Sequence, residues 1–379
     1  ILHDIQQKGF FNWTKKYDFA HTAVFDTNLI TVLKKSIMEY VFDPEKQKIR
    51  ISPTTLKIYN ECPLKWLFSR VLKVTEASLD ANLMDAVWIG TIYHEIINRV
   101  LEEIKATGIC LHLEGENVPE FYIQSFTKHC SAVIDNFPKS CSIDTPMSPL
   151  TLEMLKMQKD VYLEKLLVFF TSFCKWFNGC YISSVEEGVS YEPKGKNWFF
   201  DGRLDCCLQH AGNDRMDAGK YIVDFKTGTS PSFTESLQTA DSDMSDFQLA
   251  AYVTLYEHTF TKGRPSVSGA GFFSILKASP TSILGSLVTK NSAHRDQWNP
   301  RGKNEYLQRL EPSALGVDFN DSIVQLDVAA QNFAHAVQDE NLTHFLQPDF
   351  SKISYATCVE CPYNSICRTT YTISAEELN

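Results

Sequence analysis

Apolar residues between Ala86 and Ile104 recur at helical spacing. Val87, Ile89, Ile92, Ile96, Ile97, Val100, Leu101 and Ile104 line one side of the turn, and "ATG" ends the run. Gly90 and His94 lie one turn apart on that predicted helix. Similar periodicity predicts helices over "NLITVLKKSIMEYVF", over 151–178 up to the "NG" pair, over 245–257 and over roughly 319–338. In "SPTTLKIYNECPLKWLFSR", Ser52 can cap a helix and Pro53 suits its first turn, while Pro63 interrupts it just after Cys62. Between Glu186 and Thr227 the period shortens. The runs "GVSYEP", "WFFDGRLDCCL" and "KYIVDFKTG", separated by the polar turns "KGK" and "HAGNDRMDAG", predict an antiparallel meander. Strands are also expected at "IRI" and "GAGFFSIL". The sum is an α/β (α+β) fold with a mixed central sheet flanked by helices. Residues 1–50 read as a helical lead-in and 51–379 as one elaborated domain, with a helical insertion at about 106–182 and a cysteine-bearing segment at 351–370.

Composition excludes several classes. With 44% hydrophobic residues the chain can bury a large core, and it is neither disordered nor fibrous. Its longest nearly uncharged apolar stretch, "LLVFFTSFC", is far short of the roughly 20 residues that span a bilayer, and no signal-peptide pattern opens the chain. A soluble, cytoplasmic protein is expected. It begins at Ile1, as expected of a piece of a longer polypeptide. Eleven cysteines scattered over 379 residues do not resemble a disulfide framework, so reduced thiols are expected. The net charge of −10 argues against a generally basic nucleic-acid coat. Lys57, Lys65, Arg70 and Lys73, against the single Glu61, nevertheless form a local basic stretch that suits DNA phosphates. No G-x-x-x-x-G-K-[ST] run provides an ATP-binding loop.

The meander carries the candidate chemistry. Strand alternation puts Asp201, Arg203 and Asp205 on one face, and Asp224 with Lys226 on one face, turning Phe225 towards a core. If the two strands pair, Asp205 and Asp224 converge beside Lys226. Two carboxylates suit a hard cation such as Mg²⁺ or Mn²⁺, and a lysine can offset charge developing on a phosphate. Taken alone, "DFK" better suits an ordinary solvated hairpin edge, Asp201 beside Gly202 suits a turn, and His94 is by default a satisfied core or boundary histidine. "CVECPYNSIC" sets Cys358, Cys361 and Cys367 at spacings of three and six, three soft ligands where a closed all-cysteine site needs four. Cys110, Cys130, Cys141, Cys174, Cys180, Cys206 and Cys207 read as small interior hydrophobes.

The ordered set "GTIYHEI", "GRLD", "VDFKTG", "QLAAY" and "CVECPYNSIC" resembles the RecB-type branch of the PD-(D/E)XK nucleases, most of all the iron–sulfur nuclease domain of the AddB subunit of bacterial AddAB helicase–nucleases. The likeness runs from about residue 51 to 370. It implies a restriction-endonuclease-like core in which His94, Asp205 and Asp224 hold a Mg²⁺ or Mn²⁺ ion with the Phe225 carbonyl, and Lys226 is the catalytic lysine. It also implies that Gln248 and Tyr252 line the active site near DNA. In "SPTTLKIYNECPLKWLF" it points to Cys62 as a fourth cysteine, 296 residues before Cys358, so that a cluster would staple the two ends of the domain. Four thiolates accept zinc or iron–sulfur alike, and the family likeness favours [4Fe–4S]. The implied activity is a DNA exonuclease serving double-strand break repair by recombination, with an AddA-type helicase partner. Two other readings are a stand-alone exonuclease of the same family and a non-catalytic iron–sulfur module that holds DNA. No proline precedes Asp205 and the turn before Asp224 is long, but neither departure removes a ligand.

Overall fold

The computed structural model describes residues 13–14, 27–74, 86–142, 147–212, 218–238, 243–263, 266–283, 319–346, 348, 353, 355–359, 361–367 and 372–373. The chain divides into two compact units. One comprises Ile1–Ser78, Glu192–Phe199 and Asp327–Asn379, and the other Leu79–Tyr191 and Phe200–Leu326.

In the first unit, the helix Thr27–Val41 buries Leu33, Ile37 and Val41 and leads into an antiparallel hairpin of Phe42–Asp43 and Lys48–Ile51. The helix Pro53–Glu61 starts as its sequence predicts. The Ser52 hydroxyl accepts a hydrogen bond from the Thr55 N–H at 3.2 Å, and Pro53 occupies the first turn, where no intrahelical donor is needed. Cys62 is then extended, and Pro63 restarts a helix, Pro63–Trp66, that continues as a π-helical turn over Leu67–Val71. Trp66 is fully buried, with its ring 5.1 Å from Phe333 and 5.3 Å from Phe345; Tyr59 meets the same two rings at 5.1 and 5.6 Å. Aromatic residues from near both chain ends thus make the core of this unit, with no covalent link needed to bring them together.

The second unit holds the long helix α1 (Ala86–Thr107), α2 (Glu120–Asp135), α3 (Pro149–Met157) and α4 (Lys159–Trp176). They are followed by β1 (Tyr181–Tyr191), β2 (Trp198–His210, whose first two residues belong with the first unit), β3 (Gly219–Lys226), α5 (Gln248–Thr261), β4 (Val267–Ser274) and β5 (Ser279–Ile283). The strands neighbour one another in that order. β1–β2, β2–β3 and β4–β5 are antiparallel, while β3 and β4 are parallel, joined through α5 as parallel strands require. This is the mixed α/β sheet that the alternation predicted. Phe225 and Phe273, on paired residues of β3 and β4, meet Phe169 and Phe173 of α4 at 5.4–5.6 Å. That contact turns Phe225 inwards and leaves its neighbours Asp224 and Lys226 to the opposite face.

Three boundaries differ from the expectation. The helix expected over 151–178 is two helices that meet at Gln158, and the first begins two residues earlier because Ser148 caps it and Pro149 opens it. The helix expected over 245–257 runs Gln248–Thr261. The first strand starts at Tyr181 rather than at Gly188, because "YISSVEE" pairs with β2 although its polar residues do not alternate cleanly. Among the described residues, no helix is long and apolar enough to cross a membrane.

Candidate active site and cysteine group

β2 and β3 pair from His210↔Gly219 to Cys206↔Val223, and there the ladder stops. The next backbone donor, the Phe225 N–H, bonds not to a carbonyl but to the Asp205 carboxylate, at 2.8 Å to Oδ2. A side chain therefore replaces the ladder where the strands part. This puts Asp205 across from Asp224 at the mouth of the gap, which is the register the sequence pattern needed for the two carboxylates to converge.

Three elements complete the site. From α1, His94 Nδ1 lies 3.6 Å from Asp205 Oδ2. Gly90, one turn earlier, lets α1 approach the end of β3, since a Cβ there would stand 3.1 Å from the Thr227 hydroxyl. From β3, Lys226 Nζ lies 2.7 Å from Asp224 Oδ2. From α5, Gln248 Oε1 accepts a hydrogen bond from Lys226 Nζ at 2.8 Å, and Gln248 Nε2 reaches the Tyr252 hydroxyl at 3.4 Å. The structure thus brings His94, Asp205, Asp224, Lys226, Gln248 and Tyr252 into one connected group. The solvated-edge reading of "DFK" does not fit, because Asp224 is 3% and Phe225 1% exposed.

Glu186 is an addition that the sequence did not single out. One ligand atom each from His94, Glu186 and Asp205 falls within 4.8 Å of the others. Glu186 stands across from Asp205, between the pairs Val185↔Cys206 and Glu187↔Leu204, with a left-handed φ of 49° that is uncommon for a non-glycine residue. Placing the strand start at Gly188 had left it outside the sheet.

The electrostatics are those of a crowded, largely buried acidic group. Burial, and then the charge of Asp224, push the Asp205 carboxyl well above the usual carboxylate range. Burial lowers His94, against the opposing pull of Asp224, so the imidazole is neutral near pH 7, as a metal ligand must be. Burial also raises Tyr252, which keeps its hydroxyl proton. Asp224 Oδ2 is buried, and it pairs with the Lys226 ammonium at 2.7 Å. Two neighbouring aspartates, a third acid and a neutral histidine form a donor set that fits a hard divalent cation held by oxygen and nitrogen.

In the first unit, Cys62 is 6% exposed, and burial raises its thiol; Cys358 and Cys361 lie near enough to add to that rise. Cys361 N–H bonds to the Cys358 carbonyl at 3.3 Å, and Cys367 N–H to the Tyr363 carbonyl at 3.0 Å. Tyr363 anchors the segment, with its hydroxyl bonded to the Val74 carbonyl at 3.0 Å and its ring 5.5 Å from Phe68. Cys62 therefore lies near Cys358 and Cys361, and thiol donors of this kind suit zinc or an iron–sulfur cluster alike. Of the seven other cysteines, Cys110 and Cys141 are half-buried and the rest are buried. In the basic stretch, Lys73 is exposed, while Lys57, Lys65 and Arg70 are half-buried and Lys65 pairs with Glu61 at 2.7 Å.

Comparison with known proteins gives the same direction. The chain is 21% identical over 232 residues to a subunit of the ATP-dependent helicase/deoxyribonuclease of Clostridium perfringens, in strains SM101, ATCC 13124 and 13. That alignment covers 57% of this chain but 19% of those proteins, so the chain spans about a fifth of the relatives it matches. The family model of the PD-(D/E)XK nuclease superfamily matches residues 50–368, a range that contains every residue of the site and all four cysteines of the expected set. A match of that extent shows that the chain belongs to the PD-(D/E)XK nuclease superfamily.

Proposed function

We propose that this chain hydrolyses phosphodiester bonds in DNA with the aid of Mg²⁺ or Mn²⁺ held by His94, Asp205 and Asp224, with Glu186 beside them and the Phe225 carbonyl completing the set. The observation that carries the reading is the convergence of Asp205 and buried Asp224, with Lys226 beside them, where β2 and β3 part. A bound divalent ion would supply Lewis-acid polarisation of a phosphoryl oxygen and lower the pKa of a water. Lys226, positioned by Gln248 and tethered to Asp224, offsets negative charge that develops on the phosphate. Tyr252 supports Gln248 from the next turn of α5.

The wider context follows from the relatives. Their name joins a helicase to a deoxyribonuclease, and this chain has no P-loop, so the reading assigns unwinding to other sequence or to an AddA-type partner. DNA-end processing by an exonuclease in recombinational repair of double-strand breaks, in the cytoplasm, is the matching role. Cys62, Cys358, Cys361 and Cys367 would hold a [4Fe–4S] cluster that fastens the chain ends and leaves redox chemistry aside. Lys57, Arg70 and Lys73, with Lys65 already partly neutralised by Glu61, would track the DNA phosphates.

Incubation of end-labelled duplex and single-stranded DNA with the protein tests this reading. Products are expected with Mg²⁺ or Mn²⁺ and none in excess EDTA. An intact substrate under all metals, with DNA still bound, would favour the non-catalytic holding module instead.

A further inference from the structure

Glu186 needs a restraint. Its side chain is 29% exposed, and it stands beside Asp205 in a group already crowded with negative charge, so repulsion would turn an unrestrained carboxylate towards solvent. Two groups touch it. Arg203 Nη1 lies 3.3 Å from Oε2, but that side chain is 71% exposed, and an ion pair so open to water contributes little. Asn98 Nδ2 donates to Oε1 at 2.6 Å, a short charge-assisted bond. Because a carboxylate only accepts, the amide must present its NH₂ group to it, which settles the orientation of the Asn98 side chain.

Asn98 lies four residues after His94, so one face of α1 delivers both groups to the same side of the site. Its Oδ1 is buried with no hydrogen-bond partner, which is unusual for a residue held merely on a helix surface. The choice of an amide has a chemical consequence. A lysine or arginine in this place would neutralise Glu186 and oppose a cation, whereas a neutral donor orients the carboxylate and leaves its charge intact.

The geometry points to Asn98 as a positioning residue that holds Glu186 in the divalent-cation site. This deepens the nuclease reading and rests on it. It is tested by Mn²⁺ titration of the full chain, followed by electron paramagnetic resonance, for the wild type, Asn98→Ala and Asn98→Leu, the last keeping the branched side-chain shape without its polar atoms. Thermal melting in EDTA reports the fold separately. The expected loss of Mn²⁺ affinity is about tenfold or more, the scale of losing an outer partner of a metal ligand, with melting little changed in at least the leucine variant. In a Glu186→Ala background the same Asn98 substitutions should change Mn²⁺ affinity less than about twofold, since residues that act through one another are not additive. A wild type that binds Mn²⁺ alongside Asn98 variants of equal affinity overturns this proposal and leaves the nuclease reading standing. So does an equal loss in both backgrounds. A wild type that takes up no Mn²⁺ overturns both.

Discussion

The carboxylate site and the cysteine group draw on very different lengths of chain. Asp205, Asp224 and Lys226 come from neighbouring strands within about twenty residues, and a local event aligns them: a ladder that stops and a side chain that takes the next backbone donor. Cys62 lies near Cys358 and Cys361 in a unit where segments from both ends of the chain share one aromatic core, built from Tyr59, Trp66, Phe333 and Phe345. Hard donors are therefore presented by a sheet that is stable for other reasons, whereas soft donors sit where chain closure itself is at stake. The first arrangement suits chemistry, in which ligands must stay fixed. The second suits a staple, whose contribution grows with the loop it closes.

Removing ligands should separate the two. Asp224→Ala or Asp205→Ala is expected to reduce DNA cleavage by more than the roughly 10–100-fold typical of losing an outer-shell partner, with iron content near wild type and, in Asp224→Ala, melting near wild type as well. Excess Mn²⁺ should recover part of the activity. Loss of iron in either aspartate variant would show that the two groups are not independent. Cys62→Ala should have the next largest effect: iron is lost, the sample is no longer brown, and stability falls by several kcal/mol, on the order expected for opening so long a loop. Iron analysis and limited proteolysis check it. Full iron content with unchanged protease resistance would mean that Cys62 is not a ligand, and stoichiometric zinc in a colourless wild type would replace the cluster with a zinc site.

A smaller effect is expected at the basic stretch. Neutralising Lys57, Lys65, Arg70 and Lys73 together should weaken DNA binding and flatten its salt dependence by about 0.9 in the log–log slope for each phosphate that is no longer neutralised. An unchanged slope would move the DNA track elsewhere. The smallest concerns pH. Asp205 keeps its proton in the folded chain at pH values where the unfolded chain has lost it, so metal-free protein binds more protons folded than unfolded in that window. Its stability should fall as pH rises from about 4 through the raised value of Asp205, and added Mn²⁺ should reverse the fall. Denaturant titrations in EDTA at several pH values measure this, and a rise in stability over the same range would contradict the electrostatic account.

The parts of the molecule that were legible in the sequence are those set by short-range rules. Ser52 and the two prolines declare their helix starts, and alternation in "KYIVDFKTG" puts Phe225 in and Asp224 and Lys226 together. What stayed hidden depends on tertiary partners. Nothing local marks the break at Gln158, which contains neither glycine nor proline. Glu186 could not be found by motif, because its strand does not alternate cleanly and its left-handed backbone makes sense only beside Asp205 and Asn98. The expectation that Cys62 belongs with the C-terminal cysteines came from family resemblance alone, since no periodicity links positions 296 residues apart.

The central claim, that the aspartates and Lys226 form a working catalytic site, is tested most directly by comparing wild type with Lys226→Ala. Single-turnover cleavage of end-labelled DNA in Mg²⁺ should be read beside Mn²⁺ and DNA affinity. Lysine acts on charge that develops in the transition state, so cleavage should slow by about 10²–10³-fold or more while DNA affinity changes little. Mn²⁺ affinity should hold or rise, because the variant removes a cation 2.7 Å from a ligand oxygen. A Lys226→Ala chain that cuts as fast as wild type, or a wild type that cuts fully in excess EDTA, would contradict the account.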